Sequence, residues 1–244
     1  MFTNERHNAI LEILKENKTA LVKSLAKELY VSEATVRRDL KEMQKMGLLE
    51  RSHGGAILPE TADEVSIFFR INKNAKEKER AATVALKYLP EFKTVFVDSS
   101  STALALAGRM DLAFKTVVTN NLQTAMTLAQ KPNANIINLG GNVQYNTNSA
   151  TGSWTARQIE DFSFDLTLTS CAAISDKEAY ERSLDQREIK RAVLEKSRFK
   201  LLLADHTKFT QTAAYKIAKL SEYDLVVTDA PPTDEECISH LIFS

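Results

Sequence analysis

Val31-Ser32-Glu33-Ala34-Thr35-Val36-Arg37-Arg38-Asp39-Leu40, followed after six residues by Gly47-Leu48-Leu49-Glu50-Arg51-Ser52-His53-Gly54-Gly55-Ala56, is the stretch from which the architecture unfolds. Ser32 is a good N-cap, because its side-chain oxygen can accept an orphan amide of the following turn. The helix it opens carries Val36, Leu40 and Met43 on one face and closes near Gly47. Arg38 is displaced by two residues from Val36, about 200° around the helix, and Lys41 and Lys45 fall near the same side. Thr35 and Arg37 flank that basic side near the helix start. Upstream, Ala9, Ile10, Ile13 and Leu14 predict a first amphipathic helix within Arg6–Glu16, and Val22, Leu25, Ala26 and Leu29 a second, shorter one. Only Tyr30 and Val31 separate the second and third helices, a connection of the helix-turn-helix kind. Leu48–Arg51 and Ala56–Leu58, with Gly54-Gly55 between them, predict a β-hairpin that serves as a wing. In such a unit the third helix turns its basic stripe to DNA. A solvated charged face on any surface helix has the same periodicity.

Composition sets the wider frame. The chain has 244 residues, 43% hydrophobic and 26% charged, enough to build a core and too many for wholesale disorder. Lysine plus arginine equals aspartate plus glutamate at 32 each, so no global basic excess points to nucleic acid. Residues 1–60 are also near balance, with 10 basic and 9 acidic side chains; between Thr35 and Lys45 the basic residues exceed Asp39 and Glu42 by two. No apolar run approaches the roughly 20 residues of a membrane span, and the polar start lacks the apolar stretch of a signal peptide. Cys171 and Cys237 make no disulfide or metal framework, and the four histidines, 7, 53, 206 and 240, lack ligand spacing. A soluble, cytoplasmic protein without cofactor, metal or membrane partner is expected.

From Pro59 to about Asn74 the apolar pattern weakens. This predicts a first domain over 1–58, a linker over 59–75 and a second domain over 76–244. The second part alternates short apolar runs (Thr94–Val97, Thr116–Thr119, Ile136–Leu139, Leu166–Thr169, Lys200–Ala204, Leu225–Thr228) with helical patterns, notably Ala103–Arg109, Leu122–Gln130 and Arg187–Ser197. Such alternation predicts an α/β domain with a doubly wound, largely parallel sheet.

Open α/β sheets bind ligands beyond the carboxyl ends of their strands. Here those ends are polar: Asp98, Thr119-Asn120, Gly140-Gly141, Asp205 and Asp229. Asp98-Ser99-Ser100-Ser101-Thr102 leads straight into a helix, where hydroxyls and free amides can cradle an anion; a capped turn without ligand would read the same way. Lys208 lies beyond another strand end and can act as a point-charge phosphate binder, as a surface lysine also could sit there. Lys190, within a helix, is ambiguous by itself, and paired glycines usually just permit a turn.

Taken together, the two quoted blocks and their spacing resemble the DNA-binding signature of the DeoR family of bacterial transcriptional regulators. Ser32, Thr35, Arg37 and Arg38 carry the likeness most directly, with His53 and Gly54 in the wing. The strand-end motifs, Lys190-Arg191-Ala192, Leu203–Phe209 and the closing Ser221–Asp229 stand in the order of that family's sensor domain, so the resemblance covers nearly the whole chain. It implies a relative of the ribose-5-phosphate isomerase and CoA-transferase fold that binds a phosphorylated sugar. By that likeness Ser99, Ser100, Ser101, Thr102 and Lys208 would hold phosphate, while Asp98, Asn120, Gly140 and Gly141 shape the sugar pocket, with Lys190 and Asp205 nearby. The implied partners are double-stranded operator DNA, a phosphorylated sugar and further copies of the chain, acting as a repressor. Two departures fall where the sugar would be discriminated: Ser170-Cys171-Ala172-Ala173-Ile174-Ser175 replaces a stretch containing glycine and aspartate, and Gln186 replaces an acidic residue.

Rival readings are catalytic. A sugar-phosphate isomerase needs a general base at the carbon proton; Gln186 cannot serve, and Asp98, Asp205 and Glu188 are the candidates. A serine hydrolase from Ser100, His206 and Asp205 lacks the Gly-x-Ser-x-Gly elbow. Redox sensing at Cys171 conflicts with its place after an apolar strand. No enzyme activity is expected.

Overall fold

The helical spacing of Ile10, Leu11 and Leu14 places all three on the buried side of α1 (Thr3–Asn17) in the computed structural model of the chain. The structure describes residues 3–45, 48–57, 66–232 and 240–243. It divides into two units, Met1–Lys73 and Asn74–Ser244.

In the first unit α1 is followed by β1 (Thr19–Leu21), α2 (Val22–Glu28), α3 (Glu33–Lys45), β2 (Glu50–Ser52), β3 (Gly55–Ile57) and α4 (Ile67–Asn72). The helices share one core, in which Leu14, Leu25, Val36, Leu40 and Met43 are fully buried. β1 was not expected from the sequence. Its three residues have no alternation of their own and form a strand because β3 offers an edge, giving an antiparallel sheet in the order β1-β3-β2. Gly55 makes that pairing possible: a Cβ there would lie 2.3 Å from the Ala20 carbonyl oxygen. The expected closure of α3 at Gly47 and the end of the wing at Leu58 lie outside the described residues. So does much of the expected linker; its later part is corrected, because residues 67–72 form α4 and Phe69 is buried in the core of the first unit.

Asp39 contributes an internal charge to this unit. It is fully buried, Arg6 Nε donates to its Oδ2 at 2.6 Å and Arg6 Nη2 to its Oδ1 at 2.9 Å, while His7 lies 3.6 Å away. The forked geometry clamps the start of α1 to the middle of α3.

The second unit begins with α5 (Ala75–Ala85), β4 (Thr94–Val97), α6 (Ser101–Ala107), β5 (Thr116–Thr119), α7 (Leu122–Leu128) and β6 (Asn135–Asn138). The hairpin β7 (Asn142–Gln144) and β8 (Ser149–Thr151), α8 (Ser153–Glu160), β9 (Phe164–Ser170), β10 (Ala173–Ser175) and β11 (Glu178–Glu181) follow. Next come α9 (Leu184–Glu195), β12 (Ser197–Ala204), β13 (Tyr215–Lys219), β14 (Leu225–Thr228) and β15 (Leu241–Phe243). Seven parallel strands form the main sheet in the order β15-β14-β12-β9-β4-β5-β6. Phe96 and Val118 meet Ile159, Ile189 and Val193 of α8 and α9 on one face; α5 and α6 pack together against β4, β9, β12 and β14. The doubly wound sheet is therefore present. The expectation is incomplete: the edge strand β15 and helix α8 were not among the expected elements, and β7–β8 and the three-stranded sheet β10-β11-β13 are antiparallel additions.

Arg6→Met removes the guanidinium from a carboxylate that has no access to water. The first unit should lose about 3–5 kcal/mol of stability, and Arg6→Met with Asp39→Leu should regain most of it. Urea unfolding by far-ultraviolet circular dichroism measures both variants. The chain's one tryptophan, Trp154, lies in the second unit, so its fluorescence follows that unit separately. A double variant no more stable than the single one would refute the clamp.

Candidate functional site

α3 separates its two faces cleanly. Val36, Asp39, Leu40 and Met43 are buried, and Arg37, Arg38, Lys41 and Glu42 are exposed. Ser32 caps the helix, accepting from the Thr35 amide at 3.1 Å, and the two hydroxyls lie 2.9 Å apart. Arg37 is tied to Glu33 at 3.3 Å across one turn. No ion pair engages Arg38 or Lys41 among the described residues. The Lys45 side chain lies outside what the structure describes. His53 and Gly54 occupy the exposed tip between β2 and β3, where Gly54 has φ +88°. Charge counting along the sequence set Asp39 against the basic residues. The fold takes Asp39 out of that balance by turning it to Arg6, so the outer face is more basic than the count implied.

In the second unit the strand order reverses direction between β4 and β9, which is where doubly wound sheets open a crevice. Asp98 directly follows β4 at this point and is 1% exposed. Its Oδ1 accepts from the Ser100 amide at 2.8 Å and from the Ser100 hydroxyl; its Oδ2 accepts from the Ser170 amide at 3.0 Å. Lys190 Nζ lies 3.2 Å from Asp98 Oδ2 and donates to Glu181 Oε2 at 2.7 Å and to the Ser170 carbonyl at 2.5 Å. Burial works against the ammonium, but attraction by Glu181 and then Asp98 outweighs it, so its pKa is raised. Lys190 thus stays charged and joins β4, β9, β11 and α9.

The remaining strand-end residues surround this pair. Ser99 through Thr102 are all buried. The Ser99 hydroxyl donates to Gln186 Oε1 at 2.9 Å, and Gln186 Nε2 donates to the Ser149 hydroxyl at 2.6 Å. Ser100 caps α6 by accepting from the Ala103 amide. No partner engages the hydroxyls of Ser101 and Thr102 among the described residues. Asn120 is 1% exposed; its amide nitrogen donates to the Ala150 carbonyl at 2.9 Å, while its Oδ1 has no hydrogen-bond partner among the described residues. Gly140 is held through its backbone by Gln158 and Thr155. Gly141 lines a cleft of about 360 Å³ with Asn142, Thr151, Gly152, Ser153 and Trp154.

Beyond β12, Asp205 accepts from the Thr207 hydroxyl and amide and from Asn74. His206 packs on Asp229, whose carboxylate also receives Arg80 at 3.1 Å. Burial opposes ionisation of Asp229, but these donors, led by the His206 amide, hold its pKa below the usual range. Lys208 is half-buried, and no ion pair or side-chain hydrogen bond engages its ammonium among the described residues. Its charge acts on the Cys171 thiol, together with Lys190, Glu181 and Asp205. Burial nevertheless pushes that thiol up to about 12, so it stays protonated.

The sequence reading missed Arg6, Glu181 and Ser149. Arg6 and Glu181 sit on segments whose charges read as solvated until their partners are known. Ser149 lies in a hairpin that had no period. Among the described residues no helix is long and apolar enough to cross a membrane, and no cluster of metal-ligating side chains is found.

Lys190→Met leaves Asp98 and Glu181 buried without the ammonium between them. It should cost the second unit about 3–5 kcal/mol, read as a lower urea midpoint for Trp154 fluorescence. Retention of the wild-type midpoint would mean the ion cluster does not hold the crevice together.

Residues 6–62 match the family described as "DeoR-like helix-turn-helix domain", and residues 73–230 match the "DeoR C terminal sensor domain". The glycerol-3-phosphate regulon repressor of Escherichia coli (strain K12) is 34% identical over 95% of this chain and 93% of its own length. The HTH-type transcriptional repressor GlcR of Bacillus subtilis (strain 168) is 29% identical over 97% of this chain and 92% of its own. Among solved structures, ribose 5-phosphate isomerase A from Neisseria gonorrhoeae aligns with a TM-score of 0.40 and 15% identity, covering 54% of this chain and 52% of the isomerase.

Proposed function

The chain belongs to the DeoR family of transcriptional regulators, and on that premise we propose that it represses sugar-metabolism genes as a cytoplasmic homo-oligomer controlled by a phosphorylated sugar. It is a DNA-binding regulator rather than an enzyme: relatives matched over nearly their full length are named repressors. The one from Escherichia coli is named for the glycerol-3-phosphate regulon, which supports a phosphorylated carbohydrate as the signal. The candidate bases of an isomerase reading are otherwise engaged. Asp98 is held by Ser100, Ser170 and Lys190, Asp205 by Thr207, and Glu188 lies half-exposed against Arg187.

The observation that carries the sensor reading is the half-buried Lys208 ammonium beyond β12, which no ion pair engages among the described residues, beside the Ser101 and Thr102 hydroxyls beyond β4, which no partner engages among the described residues. A phosphate dianion would supply the missing charge, with those hydroxyls donating to it. The partnerless Asn120 Oδ1 would accept from a sugar hydroxyl, since a buried acceptor left unsatisfied costs about 1–3 kcal/mol. Gly140 and Gly141 would border the sugar. On the DNA side, Arg38 and Lys41 meet phosphates or base edges, Ser32 and Thr35 sit at the helix start, and His53 and Gly54 reach DNA from the wing. Binding at the two sites is linked: an effector that weakens operator affinity by some factor must itself bind the operator complex more weakly by that factor.

Arg38→Ala should weaken operator binding by roughly 1–3 kcal/mol per half-site and leave the fold intact. A gel-shift titration at fixed salt reads this, and unchanged affinity would remove α3 from the interface. Lys208→Ala should bind operator normally and need about ten to a hundred times more sugar phosphate for the same release. Operator titrations with and without the metabolite found by thermal-shift screening measure it. Release at the wild-type concentration would make Lys208 an ordinary surface lysine.

A further inference from the structure

Tyr30 stands in the connection between α2 and α3 with a backbone that tyrosine seldom adopts: its φ is +55°. The Leu29 amide, at the C-cap of α2, donates to the Leu25 carbonyl at 2.9 Å, and the Val31 amide donates to the Ala26 carbonyl at 3.0 Å. The second of these, from two residues past the cap back to the third-last residue of the helix, is the long bond of a Schellman motif. Ala26 and Val31, at its two ends, both pack in the core of the first unit. In that motif the residue after the cap is left-handed and is usually glycine. Any other side chain there crowds its Cβ against the following carbonyl oxygen, a cost that glycine avoids.

The tyrosine gains nothing from the fold in exchange. It is 94% exposed, the most of any large hydrophobic side chain among the described residues. No hydrogen bond or ring contact engages it among those residues. Its position names a partner. α3 begins three residues on, at Glu33, and carries Arg37, Arg38 and Lys41 on its exposed side. In a helix-turn-helix the first helix crosses the sugar-phosphate backbone, while the N-terminal residues of the second enter the major groove. The turn between them passes the phosphates at the groove's edge. Two residues span at most about 7 Å of chain, so Tyr30 stays beside Ser32, the cap of α3.

We propose that Tyr30 is a DNA contact: its hydroxyl donates to a backbone phosphate at the edge of the groove that α3 enters, and its ring covers the adjoining sugar. The inference rests on the reading that α3 meets DNA, and adds a neutral contact to its cationic ones. Tyrosine is among the side chains that hydrogen-bond DNA phosphates, and such contacts fix the register of a protein on the duplex without reading a base. Strained backbone persists where a side chain is put to use, and here the only use left lies outside the fold. An uncharged phenol displaces no counterion, so it adds affinity without steepening the dependence on salt.

The test uses the full chain and a labelled duplex that wild type enriches from a randomised pool. Wild type, Tyr30→Gly, Tyr30→Phe and Arg38→Ala are titrated by fluorescence anisotropy between about 50 and 200 mM salt, and circular dichroism follows the urea unfolding of each. Tyr30→Gly should unfold at the wild-type midpoint or above it, because glycine relieves the left-handed turn. It should nevertheless bind the duplex at least ten-fold more weakly, with an unchanged slope of log affinity against log salt. Tyr30→Phe, which keeps both the strain and the ring, should lose several-fold through the hydroxyl alone. If Tyr30→Gly binds like wild type while Arg38→Ala binds weakly, Tyr30 faces water in the complex and α3 keeps its role without it. A flatter salt slope in Tyr30→Gly would mean that cations of α3 had been displaced, and a lower urea midpoint that the tyrosine holds the fold; either result overturns the contact. Equal affinities for wild type, Tyr30→Gly and Arg38→Ala overturn both the contact and the reading of α3.

Discussion

An ammonium buried among two carboxylates and a carbonyl is the interaction around which the second unit is organised. Lys190 Nζ engages Glu181, Asp98 and the Ser170 carbonyl, so one charge ties the hairpin strand β11 to α9 and to both strands that flank the reversal of the sheet. A buried cluster of this kind is only as good as its geometry, since each ion gives up several kcal/mol of hydration. Here Asp98 is further held by two backbone amides, those of Ser100 and Ser170. The loop that follows Asp98 therefore has little freedom. Gln186 extends the constraint by bridging Ser99 to Ser149, which links the same loop to the β7–β8 hairpin. These bonds fix the loop after Asp98 against both β9 and the β7–β8 hairpin.

The same economy governs the first unit on a smaller scale. A recognition helix must keep cations outward, and an aspartate between two arginines and a lysine would ordinarily weaken that face. Asp39 avoids this because its position in the helical period coincides with Val36, Leu40 and Met43 rather than with Arg38 and Lys41. Arg6 then makes its burial tolerable. The paired arginines gain their field from a charge that the fold has removed to the interior.

What could be read from the sequence was what repeats. The stripe Val36, Leu40, Met43, the cap at Ser32 and the six apolar runs of the main sheet each declare a period, and each became the expected element within a few residues. Short segments without an apolar run of their own declare nothing: β1, β7, β8, β10 and β11 exist because a neighbouring strand or loop completes them. The strand-end residues were legible as polar positions, yet their individual roles were not. Lys190 was ambiguous by itself, because its carboxylate Glu181 lies on an unforeseen hairpin. Asn120 was singled out as a pocket residue, but only the fold shows that half of its amide is satisfied and half is not. Gln186, read as a departure from its family, proves to be a neutral bridge between two hydroxyls.

The order of strands in the main sheet also shapes how the chain leaves the ribosome. β4 is an interior strand, and its pairing of Val95 with Leu166 spans 71 residues of sequence. Its other neighbour, β5, is available much sooner, because Val95 pairs with Val117 only 22 residues on. At about 5–20 residues per second, one edge of β4 waits roughly 4–14 seconds for its partner while the intervening helices and hairpin emerge. The first unit closes contacts of short sequence separation and can complete its core in that interval. Synthesis accordingly presents a finished DNA-binding unit ahead of a sheet whose middle is still open, and the stretch between Lys115 and Arg157, with Lys131 its one charged side chain, emerges during the wait.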